Sequence, residues 1–436
     1  MKDFVIAILS SGVGIVAIII VIRLFYESGL GKSKNDWMSR FLPDEQAHKG
    51  LLIPAEETSK VFLMAFLFRI MMLMISFLFL RLLLDDSISF TIGEAMNEYI
   101  KTDALHYLNL AELGYQGYVE DGKHLFLVFF PLYPLCIALV NTLLDNIAFS
   151  ALLVSFLTFA AGSCYLYKLV AYDYGRNVAK NTVLFLSVFP FSFFYGGMMT
   201  ESLFLFTTCA TIYYIRRHRW PLVMLFGSLG ALTRMHGILL IAIAGVEWLV
   251  YYQPFMLLRK KAYSILCRQV LPKLLWIAGM GMGFIGYLTL NYVVSGSPFT
   301  FMIHQKEHWN NETVWFPKTL DMLWEYMMHS EDYPSMIAST WIPEFLIFVL
   351  VTALLLYAVR QQKLIYLIYL LSYLILNYSV SWLICGGRYI SVCIPLFLFL
   401  ALLTEKRPLL AKAILIVFSI LMGGYFGAFL MGVHMY

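Results

Sequence analysis

Residues 101–118, KTDALHYLNLAELGYQGY, hold side chains whose types and spacing could do chemistry. Written as a helix, Asp103, His106 and Tyr107 fall at i, i+3 and i+4 and share one face. Leu105, Leu108 and Ala111 can lie against a membrane surface, so an amphipathic helix would hold a carboxylate and an imidazole near lipid headgroups. Asp is also favoured at helix caps. Spacing alone leaves Asp103 with two readings, cap or site carboxylate.

Four further stretches carry charge into apolar surroundings. Glu201 in FFYGGMMTESLF (193–204) sits between two apolar runs, where an ionisable residue is costly and functional by default. Its plainer role is to cap the following helix or reach water. Arg234 and His236 in LTRMHGILL (232–240) separate two short hydrophobic pieces, where a basic residue either snorkels to the interface or serves a site. Arg388 and Tyr389 follow two glycines in CGGRYISVCIPLF (385–397). A guanidinium there can grip a lipid phosphate through two N–H groups, or simply mark a helix end. Arg69 lies inside an apolar span and could face the bundle interior. In SGSPFTFMIHQKEHWNNETVWF, His304 and His308 flank Glu307 in an order that differs from the HExxH zinc arrangement, so no metal site is expected. Trp309, Trp315, Trp324 and Trp341 can stack on sugar faces or form an interfacial belt.

The elements that position these residues are membrane helices. Of 436 residues, 61% are hydrophobic, 17% aromatic and 13% charged, against about a quarter charged in a soluble chain. Apolar runs of ~20 residues recur, each long enough to cross the hydrocarbon core. Lipid offers the backbone no hydrogen bonds, so such runs are helical, and the short alternating strands of a barrel are missing from the pattern. The expected fold is an all-α polytopic bundle. Its spans fall near 4–25, 61–84, 147–171, 181–198, 200–215, 220–234, 237–252, 271–294, 343–359, 364–384, 388–403 and 409–431. A formal charge of +4 argues for no nucleic acid, because the basic residues sit in short loops and report topology. Six isolated cysteines (Cys136, Cys164, Cys209, Cys267, Cys385, Cys393) read as apolar packing residues. Residues 4–25 lack a clear small-residue cleavage site and read as a retained helix.

Segment 126–143 carries two prolines in its first turns, which suits an interfacial or re-entrant helix. If it does not cross, the basic loops at 176–180, 216–219, 259–261, 360–363 and 406–407, with 26–60, all fall on the cytoplasmic side. Loops 85–124 and 295–342 are then extracytoplasmic, and loops of that length are usually functional. Residues 1–60 form an N-terminal helix and linker, and 61–436 the main unit. A transporter or lipid flippase is the rival reading. It expects charges near the midplane on several helices, and the two halves here show no matching pair of broken helices.

Taken in order, the motifs resemble a family. D-x-x-H-Y-L-x-x-A-x-x-G-Y (103–115), F-F-P-L-Y-P (129–134), T-E-S-L-F (200–204), then R-R-x-R-W and L-T-R-x-x-G (216–237), look like the membrane mannosyltransferases that add the second mannose to GPI anchors, and still more like their bacterial relatives. S-G-S-P-F-T-F with Gln305 and Trp309, then G-R-Y (387–389), continue the match, which covers roughly 60–400. Lys101-Thr102 stands where an aromatic or Arg-Trp pair often precedes the Asp.

The resemblance implies a GT-C bundle of about 11–13 spans that takes sugar from a polyprenyl-phosphate donor. It implies Asp103 as catalytic base and an active site on the outer face of a bacterial plasma membrane. An inverting transfer from a lipid phosphate needs one carboxylate for the acceptor proton and cations for the departing phosphate, unlike the carboxylate pair of a glycosidase. Arg388 is the phosphate contact under this reading. His106, Glu201, Arg234, Gln305, Trp309 and Tyr389 are candidates for binding donor or acceptor, the latter a glycolipid, glycan or protein.

Overall fold

The computed structural model describes residues 2–31, 50–83, 91–330 and 334–433. The described chain is an all-α polytopic membrane protein. Seven helices are long and apolar enough to cross a bilayer: Lys2–Glu27, Ala55–Leu83, Ile147–Tyr174, Met235–Arg259, Tyr263–Ser295, Pro334–Ala358 and Pro408–Leu430. Shorter apolar helices lie among them, Leu132–Leu144, Trp220–Thr233, Leu364–Asn377 and Ile394–Thr404.

Burial separates centre from rim. Of the apolar windows of Ile147–Tyr174 and Pro334–Ala358, 61% is buried, against 22% for Ala55–Leu83 and Pro408–Leu430. The first two are therefore interior, and the last two turn most of their surface to lipid. Ile147–Tyr174 is the hub, packing against Ala55–Leu83, Leu132–Leu144, Arg176–Val188 and Glu201–Arg216. Gly162 permits a close approach to Glu201–Arg216, since a Cβ there would press on the Phe206 backbone nitrogen at 3.0 Å.

Three interruptions matter most for function. The run 181–198 reads as one span, yet the helix Arg176–Val188 stops short of Pro190, and a 3₁₀ turn, Ser192–Gly196, leads to Glu201–Arg216. The run 220–252 breaks at Arg234, whose backbone is extended (φ −155°, ψ 152°) before the turn Met235–Ile238. Segments 364–384 and 388–403 are both shorter than composition suggests. Leu364–Asn377 ends, a loop follows, and the single turn Gly386–Ile390 precedes Ile394–Thr404 with Pro395 in its first turn. Glu201, Arg234 and Arg388 each sit at one of these breaks.

The segment Leu132–Leu144 has 13 residues, about 20 Å at ~1.5 Å per residue, short of the ~30 Å hydrocarbon core. It lies along the hub helix, with the Tyr133 hydroxyl donating to the Ala151 carbonyl at 3.2 Å. Within the segment 126–143 the helix begins only at Leu132, with a 3₁₀ turn at Leu125–Val128 ahead of it.

The charged loops gather at opposite ends. At one, Arg216 grips Asp173 through Nε and Nη2 (2.9 Å each) and Glu247 through Nη1 (2.6 Å), while Arg259 donates to the Gly29 carbonyl at 3.0 Å. At the other, Lys2 pairs with Asp321 at 2.7 Å and Glu325 at 2.6 Å. Lys101 there donates to the Leu430 carbonyl at 2.7 Å. The N-terminal helix is part of the bundle, since Lys2–Glu27 packs against Phe316–His329, Ile342–Ala358 and Leu364–Asn377. Near the same end a short antiparallel bridge joins Thr313 to Val380. Val314 N donates to Ser379 O at 3.1 Å and Ser381 N to Glu312 O at 2.8 Å.

Candidate active site

Asp103 opens the helix Asp103–Gly117, and the cap position belongs to Thr102, whose φ is +53° and whose side chain makes no capping bond. The Asp103 carboxylate therefore points elsewhere. Its Oδ2 accepts from Arg388 Nη1 at 2.6 Å. Arg388 Nε donates in turn to Glu201 Oε1 at 2.5 Å, and the same oxygen accepts from Arg234 Nη1 at 2.8 Å. Four residues from four separate segments thus form one chain of alternating charge: Asp103, Arg388, Glu201, Arg234.

Exposure differs sharply along it. The Glu201 side chain is 0% exposed, Arg388 2%, Arg234 10% and Asp103 34%. Only the carboxylate at one end opens outward, while the cations behind it are enclosed. The formal charges cancel, which is the condition for holding such groups in a low-dielectric interior. Glu201 lies in the first turn of its helix, where the helix dipole favours a negative charge. Its second oxygen, Oε2, is buried and has no hydrogen-bond partner among the described residues.

Aromatic rings wall the chain. Arg234 lies over the Tyr389 ring at 4.6 Å, and Arg388 over Phe194 at 5.3 Å. His236 stacks on Tyr373 at 4.5 Å. The FFPLYP segment props the Asp103 helix: Phe129 and Tyr133 meet Tyr107 edge-on at 4.9 and 5.3 Å. The Tyr115 hydroxyl donates to the Phe129 carbonyl at 2.8 Å.

His106 lies outside the ion chain. Its ring stacks on Phe126 at 4.3 Å and its Nδ1 is 3.0 Å from the Tyr118 hydroxyl. Burial holds the imidazole below its usual pKa, with the nearby Asp103 pulling the other way. Leu105 is exposed, as an interfacial helix requires, whereas Leu108 turns into the core.

Gln305 and Trp309 are not part of the chain either. Gln305 belongs to the helix Thr300–Glu307, which packs against the 125–128 turn, and Trp309 follows it. His304, on that helix, is buried, and burial with Lys123 lowers its pKa. Among the described residues no three His, Cys, Asp or Glu side chains converge where a metal could bind. Arg69 does face the interior. Its Nη1 donates to the Ser192 carbonyl at 2.9 Å and its guanidinium lies 3.8 Å from the Phe159 ring centre, while Nε and Nη2 have no hydrogen-bond partner among the described residues.

Residues 130–277 match the family model described as dolichyl-phosphate-mannose-protein mannosyltransferase. The matched stretch holds FPLYP, Glu201 and Arg234, but not Asp103 or Arg388. Among solved structures the chain is similar to the crystal structure of ArnT from Cupriavidus metallidurans bound to undecaprenyl phosphate, at 17% identity and a TM-score of 0.45. That likeness covers 70% of this chain and 55% of that one, so the chain spans about half the length of its structural neighbour. No curated protein matches the chain.

One carboxylate of this neighbourhood escapes the sequence reading. Glu344 lies inside the apolar stretch WIPEFLIFVL and is 1% exposed. An acid in a membrane run is itself the signal that could have found it.

Proposed function

We propose that the chain is a membrane glycosyltransferase that moves a sugar from a polyprenyl-phosphate donor to a hydroxyl acceptor with inversion. Mannose is the sugar its motifs favour, by their resemblance to the transferases that add the second mannose to GPI anchors. The acceptor is a glycolipid, glycan or protein, and the site faces outward from a bacterial plasma membrane.

The observation that carries this reading is the contact of Arg388 with Asp103. It sets an outward-opening carboxylate against an enclosed guanidinium. In the reaction, the acceptor oxygen attacks the anomeric carbon as the bond from that carbon to the phosphate oxygen breaks. Asp103 takes the hydroxyl proton. Arg388, with Arg234 behind it, balances the charge that collects on the departing phosphate. Glu201 holds the two arginines in register, and Tyr389 lies beneath Arg234. His106, Gln305 and Trp309, which stand outside the ion chain, are assigned to acceptor binding by the resemblance of their motifs. The family match, drawn from enzymes named for a dolichyl-phosphate-mannose donor, supports the donor class.

The test is transfer from radiolabelled polyprenyl-phosphate mannose by purified protein, wild type against Asp103→Asn. The amide keeps the shape and removes the base, so the rate should fall about 10²- to 10⁴-fold. Equal turnover by both would remove Asp103 from the mechanism. Absence of any turnover, with substrate counterflow in vesicles, would replace the enzyme by a transporter.

A further inference from the structure

Glu344 is used by nothing described so far. It lies in the first turn of the helix Ile342–Ala358, buried, and enters no ion pair among the described residues. A carboxylate in that position is costly unless its oxygens are satisfied. They are satisfied by one segment and its support. Gly387 N donates to Oε1 at 2.9 Å. The Tyr378 hydroxyl donates to the Glu344 carbonyl at 2.7 Å and lies 3.4 Å from Oε2.

The segment it binds is the one that carries Arg388. A Cβ at Gly386 would run into the Glu344 carboxylate, and one at Gly387 into the Phe191 ring. Any side chain at either place would displace that carboxylate or that ring, so glycine fits both. Asn377 Nδ2 donates to Gly386 O at 3.2 Å. Beyond Arg388, the Ser391 hydroxyl donates back to the Arg388 carbonyl at 2.6 Å, and Tyr195 donates to the Ser391 carbonyl at 2.6 Å. The turn is thus pinned on both sides of the arginine.

We infer that Glu344 is a positioning residue for Arg388: its carboxylate fixes the Gly386–Gly387 backbone so that one guanidinium reaches Asp103 and Glu201 together. This rests on the reading of Arg388 as the donor phosphate contact. A planar fork serving two carboxylates at 2.6 and 2.5 Å tolerates displacement of about 0.5 Å before one contact is lost. Glu344 therefore acts on donor recognition through Arg388, without touching substrate.

The experiment compares wild type, Glu344→Gln and Glu344→Ala in detergent, measuring donor KM and kcat with polyprenyl-phosphate mannose alongside thermal melting. The glutamine keeps an acceptor oxygen for Gly387 N, and the alanine removes it. Folded E344A should show a donor KM raised about 10-fold or more, with E344Q near wild type. A purely structural residue would lower the melting temperature and leave the KM of the folded fraction unchanged, and that result overturns the inference. If E344A does not fold, Glu344→Asp decides, since it withdraws the oxygens by one methylene. A raised KM at an unchanged melting temperature supports positioning, and an unchanged KM overturns it. If the wild type transfers no sugar, binding of polyprenyl phosphate is compared instead. Weaker binding by E344A supports the inference although the enzyme reading has failed, equal binding overturns it alone, and no binding by the wild type overturns both.

Discussion

Arg388 meets Asp103 through one hydrogen bond, Nη1 to Oδ2 at 2.6 Å, although 285 positions separate them in the chain. The opposite side of the same guanidinium serves Glu201. The contact therefore depends on a rigid planar fork, and the side chain's identity matters beyond its charge.

Arg388→Lys keeps the charge but replaces the fork by a mobile point charge. Donor turnover should fall about 10²-fold or more. Arg388→Met removes the cation and leaves Glu201 buried with one partner, at a cost of about 3–5 kcal/mol. Transfer assays and melting curves on the two variants check both numbers. A lysine variant with wild-type turnover would exclude the bidentate role.

Arg69 offers the opposite case. It is enclosed like Arg388 but meets no carboxylate among the described residues, and instead donates to the Ser192 carbonyl and lies among the Phe68, Phe159 and Tyr195 rings. Arg69→Met orphans one carbonyl, worth about 1 kcal/mol, and relieves the cost of a buried cation. Its melting temperature should stay close to wild type, whereas Arg388→Met should be far less stable. Calorimetry on the pair separates them.

Gly237→Ala tests the break that turns Arg234 inward. The new methyl would run into the Gly230 carbonyl, which is backbone and cannot swing away. The expected destabilisation is about 1–3 kcal/mol, with a larger loss of transfer than of stability, because Arg234 moves with the turn. Melting and activity measured side by side reveal the difference.

His106 gives the acid side of the stability profile a definite sign. Burial depresses its pKa in the fold, so below about 6.5 the unfolded chain binds the proton more readily. The stabilising contribution is complete above that pH and is lost as pH falls through the folded pKa. His106→Gln should flatten the decline in melting temperature below about pH 6.5. An unchanged slope would assign the decline to other groups.

Much of this was readable in the residues. The apolar runs fix a helical membrane protein because lipid leaves the backbone no other way to satisfy itself. Asp103, Glu201, Arg234 and Arg388 each stand out as charges against such runs. Their contacts were not readable, since they depend on where helices stop. The run 181–198 carries no charge, so composition extends it past Val188, and Pro190 with Gly196-Gly197 are the hints of the break. Glu344 hides because one acid barely lowers the hydropathy of its span. Gln305 and Trp309 sit in a motif, and a motif does not say which wall of a site it builds.

The bridge between Thr313 and Val380 gives the site a handle outside itself. It ties the stretch that follows Trp309 to the loop that leads into Cys385, Gly386 and Arg388. An antibody fragment that grips residues 310–315 would pull on the backbone upstream of the arginine while leaving the ion chain untouched. Under the topology proposed above, inhibition would then come from this polar loop, by a reagent that never enters the lipid and never resembles a sugar.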